Sequence, residues 1–307
     1  MSIKKYKEKF IIVMYHCIVK NRDYFNGLNE VKFEQQIKYF KKNYNILNPN
    51  EFYKKLKEDS FSKKDCLLTF DDGYQSHFKY AYKILTKYKL KGFFFPIMLG
   101  YNSNKIHHIN KIQLLLKLRK DKKKLFEEIK NLIKNENKKI YKKFDLLISK
   151  IERNKTYDSN TDLIIKRLLQ RDLPILLREK ICNNLFKKIK IKKEILKKFY
   201  MNDSQLIKLK KEGHEIGVHT KSHHWMSMLS ETQQKKEIKN SLNYLKKKKI
   251  IDKRWTFCYP YGDYNVITKK VLKKLNCSAA FTTGNKPAMT KNIKKYDLCR
   301  LDCNEFL

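Results

Sequence analysis

Two adjacent carboxylates stand at the end of a short apolar run and could hold a metal ion. Residues 66–70 are apolar apart from one threonine, and Asp71, Asp72 and a glycine follow them directly. An apolar run of this length that stops at a glycine is typical of a buried strand. Neighbouring like charges disfavour each other's ionisation, so the pair needs compensation. A divalent metal ion is the simplest compensating group.

Two histidines later in the chain could supply the other ligands of such a site. His219 and His223 are separated by three residues and also follow a short apolar run. With Asp72 they would form a face of two imidazoles and one carboxylate, which leaves positions open for water and substrate. A metal held there would lower the pKa of a bound water towards ~7 and polarise a carbonyl group. Zinc is the expected ion, and iron, cobalt or nickel would accept the same ligands.

Three motifs together resemble the polysaccharide deacetylase family, the NodB-homology carbohydrate esterases. They are residues 69–73 (Thr-Phe-Asp-Asp-Gly), the pair His219 and His223, and residues 257–262 (Phe-Cys-Tyr-Pro-Tyr-Gly). The three occur in the family's order, which makes the resemblance specific. It implies a hydrolase that removes an acetyl group from an amino sugar, with Asp72 as a metal ligand and Asp71 as the general base.

The resemblance also indicates which residues surround the substrate. It implies that Tyr259, Pro260 and Tyr261 line the pocket, with the Tyr261 backbone N–H facing the oxyanion. Donors aimed at developing negative charge stabilise a transition state strongly. We further predict that Arg300 contributes to substrate binding.

The chain departs from the family's pattern at two positions. The family often has an arginine two residues before the proline, where it orients the base, but Cys258 stands there, and Arg254 or Arg300 is the candidate replacement. The family usually ends with a Leu-x-His motif that supplies the general acid, whereas no histidine follows His224. His16, after the first predicted strand, is our candidate for a catalytic histidine, and a buried structural histidine is the alternative.

Strands and helices must alternate along the chain to bring these residues together. Strands are predicted at residues 10–19, 44–47, 66–72, 92–97, 215–219, 255–259, 279–283 and 298–302. Apolar strands separated by helical segments indicate an α/β parallel sheet. We therefore predict a distorted or incomplete (β/α) barrel of about seven strands, which is also what the resemblance implies. The candidate residues fall where strands end, at the face that carries chemistry in such barrels.

The predicted barrel is interrupted by a lysine-rich helical insertion. We assign residues 1–104 to the first part of the barrel, residues 105–200 to the insertion and residues 201–307 to the second part. Apolar residues recur at helical spacing in the insertion. The insertion could form a cap over the site, an oligomer contact or a packing appendage.

The formal net charge of +40 raises the question of an anionic partner. Of the 71 basic residues only eight are arginine, although arginine is the usual choice for reading phosphates. A solvated lysine surface is therefore the favoured interpretation, with an anionic sugar or glycan precursor as the alternative. We expect no specific binding of nucleic acid.

The seven cysteines and the N-terminal segment favour a cytoplasmic protein. The number of cysteines is odd and no Cys-x-x-Cys motif occurs, which fits reduced thiols. The apolar stretch at residues 10–15 is too short for a signal peptide, and no stretch is long enough to span a membrane.

Two other functions remain open from the sequence. One is a related C–N hydrolase, such as a deformylase or an amidase on the same barrel. The other is a non-catalytic glycan-binding module, against which the intact Asp71, Asp72, His219 and His223 argue.

Overall fold

The computed structural model describes residues 6–20, 26–98, 106–152, 160–191 and 199–306. The chain divides into two compact units, Met1–Lys105 with Lys197–Leu307 and Ile106–Leu196. The boundary predicted between residues 104 and 105 lies outside the described residues, as do the first and last residues of the chain.

Ten strands form within the described part of the first unit. They are β1 (Ile11–Tyr15), β2 (Ile18–Val19), β3 (Leu28–Asn29), β4 (Asn45–Ile46), β5 (Asp65–Asp72), β6 (Phe93–Pro96), β7 (Glu215–Ile216), β8 (Thr256–Cys258), β9 (Ala279–Thr283) and β10 (Leu298–Asp302). Seven lie side by side in the order β7-β6-β5-β1-β10-β9-β8, and every neighbouring pair is parallel. A parallel bridge between Val218 and Phe257 joins the two ends of this row. The sheet is therefore a nearly closed barrel of seven strands, which confirms the predicted fold.

The strand predicted at residues 10–19 is divided in two. β1 belongs to the barrel, whereas β2 pairs with β3 in a separate two-stranded sheet. The division falls at His16 and Cys17, and the Cys17 carbonyl accepts a hydrogen bond from the Leu28 N–H. The chain thus leaves the barrel immediately after β1, at the edge where the candidate residues lie.

β5 is enclosed by neighbours on both sides. It pairs with β1 on one side, and with β4 and then β6 on the other. All eight of its side chains are buried. A parallel strand covered on both faces is expected to be apolar along its length. Asp71 and Asp72 break that pattern at the carboxyl end, where the barrel opens.

Twelve α-helices occur among the described residues. They are α1 (Glu30–Asn43), α2 (Pro49–Glu58), α3 (Tyr82–Lys87), α4 (His108–Leu118), α5 (Lys122–Glu136), α6 (Lys138–Tyr141), α7 (Phe144–Glu152), α8 (Asn160–Arg167), α9 (Ile175–Lys187), α10 (Asp203–Lys211), α11 (Glu231–Lys247) and α12 (Val266–Lys274). Asparagine side chains cap several of them, because the amide oxygen can accept from N–H groups that have no partner in the first turn. Asn202, for example, caps α10 by accepting a hydrogen bond from the Gln205 N–H.

The second unit contains only helices as regular structure in its described residues, 106–152 and 160–191. Its core is formed by apolar side chains at helical spacing, among them Ile112, Leu115, Ile129 and Ile133. The prediction of an amphipathic helical segment is confirmed in this part of the chain. None of the described helices has the length and apolar composition that crossing a membrane requires.

Candidate active site

The carboxyl end of β5 presents its two carboxylates in a constrained turn. Asp72 has a φ of 72° and Gly73 a φ of 71°, so the strand ends in two successive left-handed residues. A Cβ atom added at Gly73 would lie 2.6 Å from the Cβ of Pro96 on β6. Glycine is therefore the residue that fits this position without a shift.

The structure brings Asp72 and the two predicted histidine ligands together. Asp72 Oδ1 lies 3.5 Å from His219 Nε2 and 3.6 Å from His223 Nε2, and all three side chains are buried. Oδ1 accepts no hydrogen bond from the described residues, whereas Oδ2 accepts one from the Tyr74 hydroxyl at 2.8 Å. A buried carboxylate oxygen without a donor is costly unless a cation compensates it. The three ligand atoms converge as they would around a divalent metal.

A hydrogen bond sets the orientation of His219. Its Nδ1 lies 2.8 Å from the backbone oxygen of Cys258. A carbonyl oxygen only accepts, so Nδ1 carries the proton and, in the neutral ring, Nε2 presents its lone pair to Asp72. The second nitrogen of a metal-binding histidine is commonly held in this way.

The segment between the two histidines is held by a glutamate from α11. Glu237 accepts hydrogen bonds from the backbone N–H groups of Lys221 at 3.1 Å and Ser222 at 2.7 Å. Thr220 and His223 have φ values of 60° and 54°. Strained backbone of this kind persists where the surroundings enforce it, and it is concentrated at functional sites.

Asp71 is bound by an arginine from the last strand of the barrel. Arg300 Nη1 donates to Oδ1 and Nη2 donates to Oδ2, both at 2.7 Å, and the Arg300 side chain is 1% exposed. Burial by itself would raise the pKa of Asp71, but the charge and hydrogen bonds of Arg300 outweigh it and lower the pKa to about 2. Asp71 is therefore ionised at neutral pH.

Arg300 was predicted to bind substrate. Its guanidinium is instead enclosed by protein groups. Arg254, the other candidate partner of the base, lies over the Tyr53 ring at 3.8 Å and donates to Asn50. Of the two arginines, Arg300 is the one placed to orient Asp71.

His16 is exposed and follows β1 directly. The register of β1 and β5 pairs Tyr15 with Phe70, so His16 comes level with Asp71 at the carboxyl edge. Its backbone oxygen accepts a hydrogen bond from His77 Nε2 at 2.7 Å. Burial lowers the pKa of His77 to about 4, so the His77 ring is neutral at pH 7. The exposure of His16 contradicts the alternative of a buried structural histidine.

The third motif places its aromatic residues in different surroundings. Tyr261 has a φ of 58°, and its ring contacts His223 and Trp225 with centroid separations of 4.6 and 4.5 Å. Pro260 is buried at the start of the same short turn. Tyr259 is 1% exposed and its hydroxyl donates to a backbone oxygen at 2.9 Å. Tyr261 thus adjoins a predicted metal ligand. Tyr259 was predicted to contact substrate, but its side chain is enclosed by protein.

Three residues near the candidate ligands were not singled out from the sequence: Tyr74, Trp225 and Glu237. Tyr74 and Trp225 each lie two residues from a predicted ligand, so their closeness in sequence could have found them. Glu237 lies on a separate helix, and no local pattern indicates its contact with the histidine segment.

Comparisons with known proteins agree on one family. A protein-family model described as polysaccharide deacetylase matches residues 58–140 and 171–280, more than half of the chain. YxkH of Bacillus subtilis (strain 168), whose description as a polysaccharide deacetylase is provisional, is 36% identical over 110 residues. That alignment covers 34% of this chain and 37% of YxkH, so it spans little more than a third of the relative's length.

Solved structures share the fold over nearly the whole chain. The Streptococcus pyogenes deacetylase PplD, in complex with acetate, has a TM-score of 0.57 at 20% identity, covering 96% of this chain and 92% of PplD. IcaB from Ammonifex degensii has a TM-score of 0.55 at 16% identity, covering 95% of this chain and 90% of IcaB. At these identities the likeness shows the barrel fold and nothing finer.

Proposed function

The chain belongs to the polysaccharide deacetylase family, and on this premise we propose that it is a metal-dependent hydrolase acting on an N-acylated amino sugar. It would remove an acetyl or other acyl group from a glycan or a glycan precursor. The observation that carries the proposal is the buried Asp72 Oδ1, which faces two imidazoles and has no donor among the described residues. An anionic substrate would suit the net charge of +40.

We propose that Asp72, His219 and His223 hold one divalent ion, and that the ion is zinc. Two imidazole nitrogens and one carboxylate oxygen form a donor set that zinc accepts, with a position left for water or substrate. When bound, the ion would polarise the acyl carbonyl and lower the pKa of a water molecule. The chain's own residues orient the ligands: the Cys258 carbonyl holds His219, and the Tyr74 hydroxyl holds Asp72.

We assign the role of general base to Asp71. Its carboxylate is ionised at neutral pH, adjoins Asp72 in the chain and is fixed by Arg300. It would accept a proton from water as the water oxygen attacks the acyl carbon. In this proposal Arg300 orients the base, and it does not touch substrate.

The leaving amine needs a proton, and we assign its donation to His16. As the C–N bond breaks, His16 would protonate the nitrogen, which leaves a free carboxylate and an amino sugar. The backbone N–H of Tyr261 would donate to the acyl oxygen as negative charge develops there. Pro260 and the Tyr261 ring would form part of the wall that contacts the sugar.

Metal content and acetate release, measured on the same preparations, test this proposal. The natural protein should bind about one divalent ion, as one three-ligand site predicts, and should release acetate from a panel of N-acetylated amino-sugar oligomers. His219→Ala should lose both properties, and Asp71→Asn should keep the metal and lose turnover. His224→Ala, next to a predicted ligand, is the matched control and should keep both. A natural protein that binds no added divalent ion would exclude the proposed function.

We further propose a cytoplasmic location. No disulfide joins any of the seven cysteines, all of which lie in the described part of the chain, and this suits a reducing compartment. Fractionation of cells that carry the tagged protein would test it, and recovery from the medium or an oxidising compartment would contradict it.

A further inference from the structure

Cys258, at the end of β8, contacts both the proposed base and a proposed metal ligand. Its sulfur lies 3.4 Å from Asp71 Oδ2 and 3.0 Å from Arg300 Nη2. Its backbone oxygen accepts the hydrogen bond from His219 Nδ1 at 2.8 Å. The side chain is completely buried. One small residue therefore bonds to the two halves of the candidate site.

We propose that Cys258 is a positioning residue that directs which oxygen of Asp71 receives the proton from water, an inference that rests on the proposed function. A carboxylate offers about four lone-pair positions. Arg300 occupies one on each oxygen, and the Cys258 thiol donates to a second position on Oδ2. Among the described residues no further donor bonds to Oδ1. Oδ1 is thus the atom left to accept the proton.

The small size of Cys258 is part of this role. The Arg300 guanidinium already lies against the sulfur in a space closed to solvent. A long or charged side chain at this position would compete with Arg300 for the same space, and a second buried cation there would lack a partner. Arg300 thus supplies the charge that orients Asp71, while Cys258 supplies a neutral donor that fits beside it.

Kinetics of three variants test the role in turnover. Cys258→Ala removes the donor, Cys258→Ser keeps a donor on a smaller atom, and Cys277→Ala is the matched control. The Cys277 thiol is also buried, but it donates to the Ala279 carbonyl and not to a carboxylate. Cys258→Ala should lower kcat about 10-fold, the effect of losing one hydrogen bond to a charged group, with KM and metal content unchanged. Cys258→Ser should recover most of the loss.

A kcat for Cys258→Ala equal to that of the natural protein, or a loss no larger than that in Cys277→Ala, would overturn the inference. Failure of serine to recover turnover would overturn the donor role as well. Thermal unfolding should show that all three variants are equally folded. A difference in kcat then reflects the site and not a loss of folded protein.

Infrared spectra of the metal-free protein test the contact without catalysis. The S–H stretching band of Cys258 is obtained as the difference between the natural protein and Cys258→Ala. The band is then measured again as the difference between Asp71→Asn and the double variant Asp71→Asn with Cys258→Ala. Its frequency should differ from that in the natural protein, because an amide is a weaker acceptor than a carboxylate. The Cys277 band should not shift. An unshifted Cys258 band overturns the inference even in an active deacetylase. A shifted band in a protein without deacetylase activity would support the contact and refute the proposed function.

Discussion

Arg300 on β10 and Asp71 on β5 form a bidentate ion pair, with both nitrogen–oxygen distances at 2.7 Å. Their strands are separated by β1 in the sheet, so the pair bridges across one strand. The guanidinium also donates to the Thr69 hydroxyl and to the Thr282 backbone oxygen. Because a buried ion pair is costly unless its hydrogen bonds are satisfied, these extra contacts explain how the charges are tolerated.

Replacing Arg300 by methionine should destabilise the protein strongly. Asp71 would remain as a buried charge without a partner, at a cost of about 3–5 kcal/mol in the free energy of unfolding. Urea unfolding of the metal-free protein measures this change. Arg254→Met removes an exposed guanidinium from the Tyr53 ring and should cost about 1 kcal/mol or less. The double variant Arg300→Met with Asp71→Asn should recover part of the loss, and no recovery would contradict the pairing.

The same ion pair predicts how stability depends on acid. The pKa of Asp71 is lowered from 3.8 to about 2 in the folded protein. A lowered acid pKa stabilises the fold above pH 3.8, and this contribution disappears as the pH falls through about 2. The free energy of unfolding of the metal-free protein should therefore decrease by about 2 kcal/mol because of this group as the pH falls from about 5 to 2. In Asp71→Asn the free energy of unfolding should depend less steeply on pH in this range. The same dependence on pH in both proteins would refute the prediction.

Alanine at Gly73 should damage the candidate metal site. The new Cβ would meet the Pro96 Cβ at 2.6 Å in a residue with a φ of 71°. Gly213→Ala is the matched control, since Gly213 has a φ of 85° but only the flexible Lys91 side chain nearby, at 3.7 Å. Gly213→Ala should cost about 1 kcal/mol from backbone strain alone. Gly73→Ala should cost more and also weaken zinc binding, as isothermal titration would show; equal effects would contradict the steric argument.

Removing the Glu237 carboxylate should weaken metal binding without direct contact to the ion. The segment between the two histidines would lose the acceptor for two backbone N–H groups. Loss of such support commonly lowers metal affinity about 10- to 100-fold, which competition with a chelator can measure for Glu237→Ala. Glu231→Ala changes an exposed carboxylate on the same helix, whose partner is Lys274 at 3.7 Å. It should leave the affinity unchanged, and a similar loss in both variants would argue against the proposed support.

Local sequence patterns were sufficient for most of the elements. The strands at residues 279–283 and 298–302 have the predicted bounds. Each depends on apolar spacing and on end signals within a few residues, which are visible in a single sequence. The pair His219 and His223 was visible for the same reason, because both lie on one short segment.

Contacts between distant strands were not determined by such patterns. From the sequence, Arg254 and Arg300 are equal candidates for the residue that orients the base Asp71. Tyr259 and Tyr261 are both predicted to line the substrate pocket. The choice depends on strand order and on which face of each strand points into the barrel, and a change of one residue in register reverses that face. The sequence by itself determined the family, the barrel and the ligand motifs. The tertiary structure decided which arginine meets Asp71 and which tyrosine adjoins His223, because those choices are made by strands that meet only after the barrel closes.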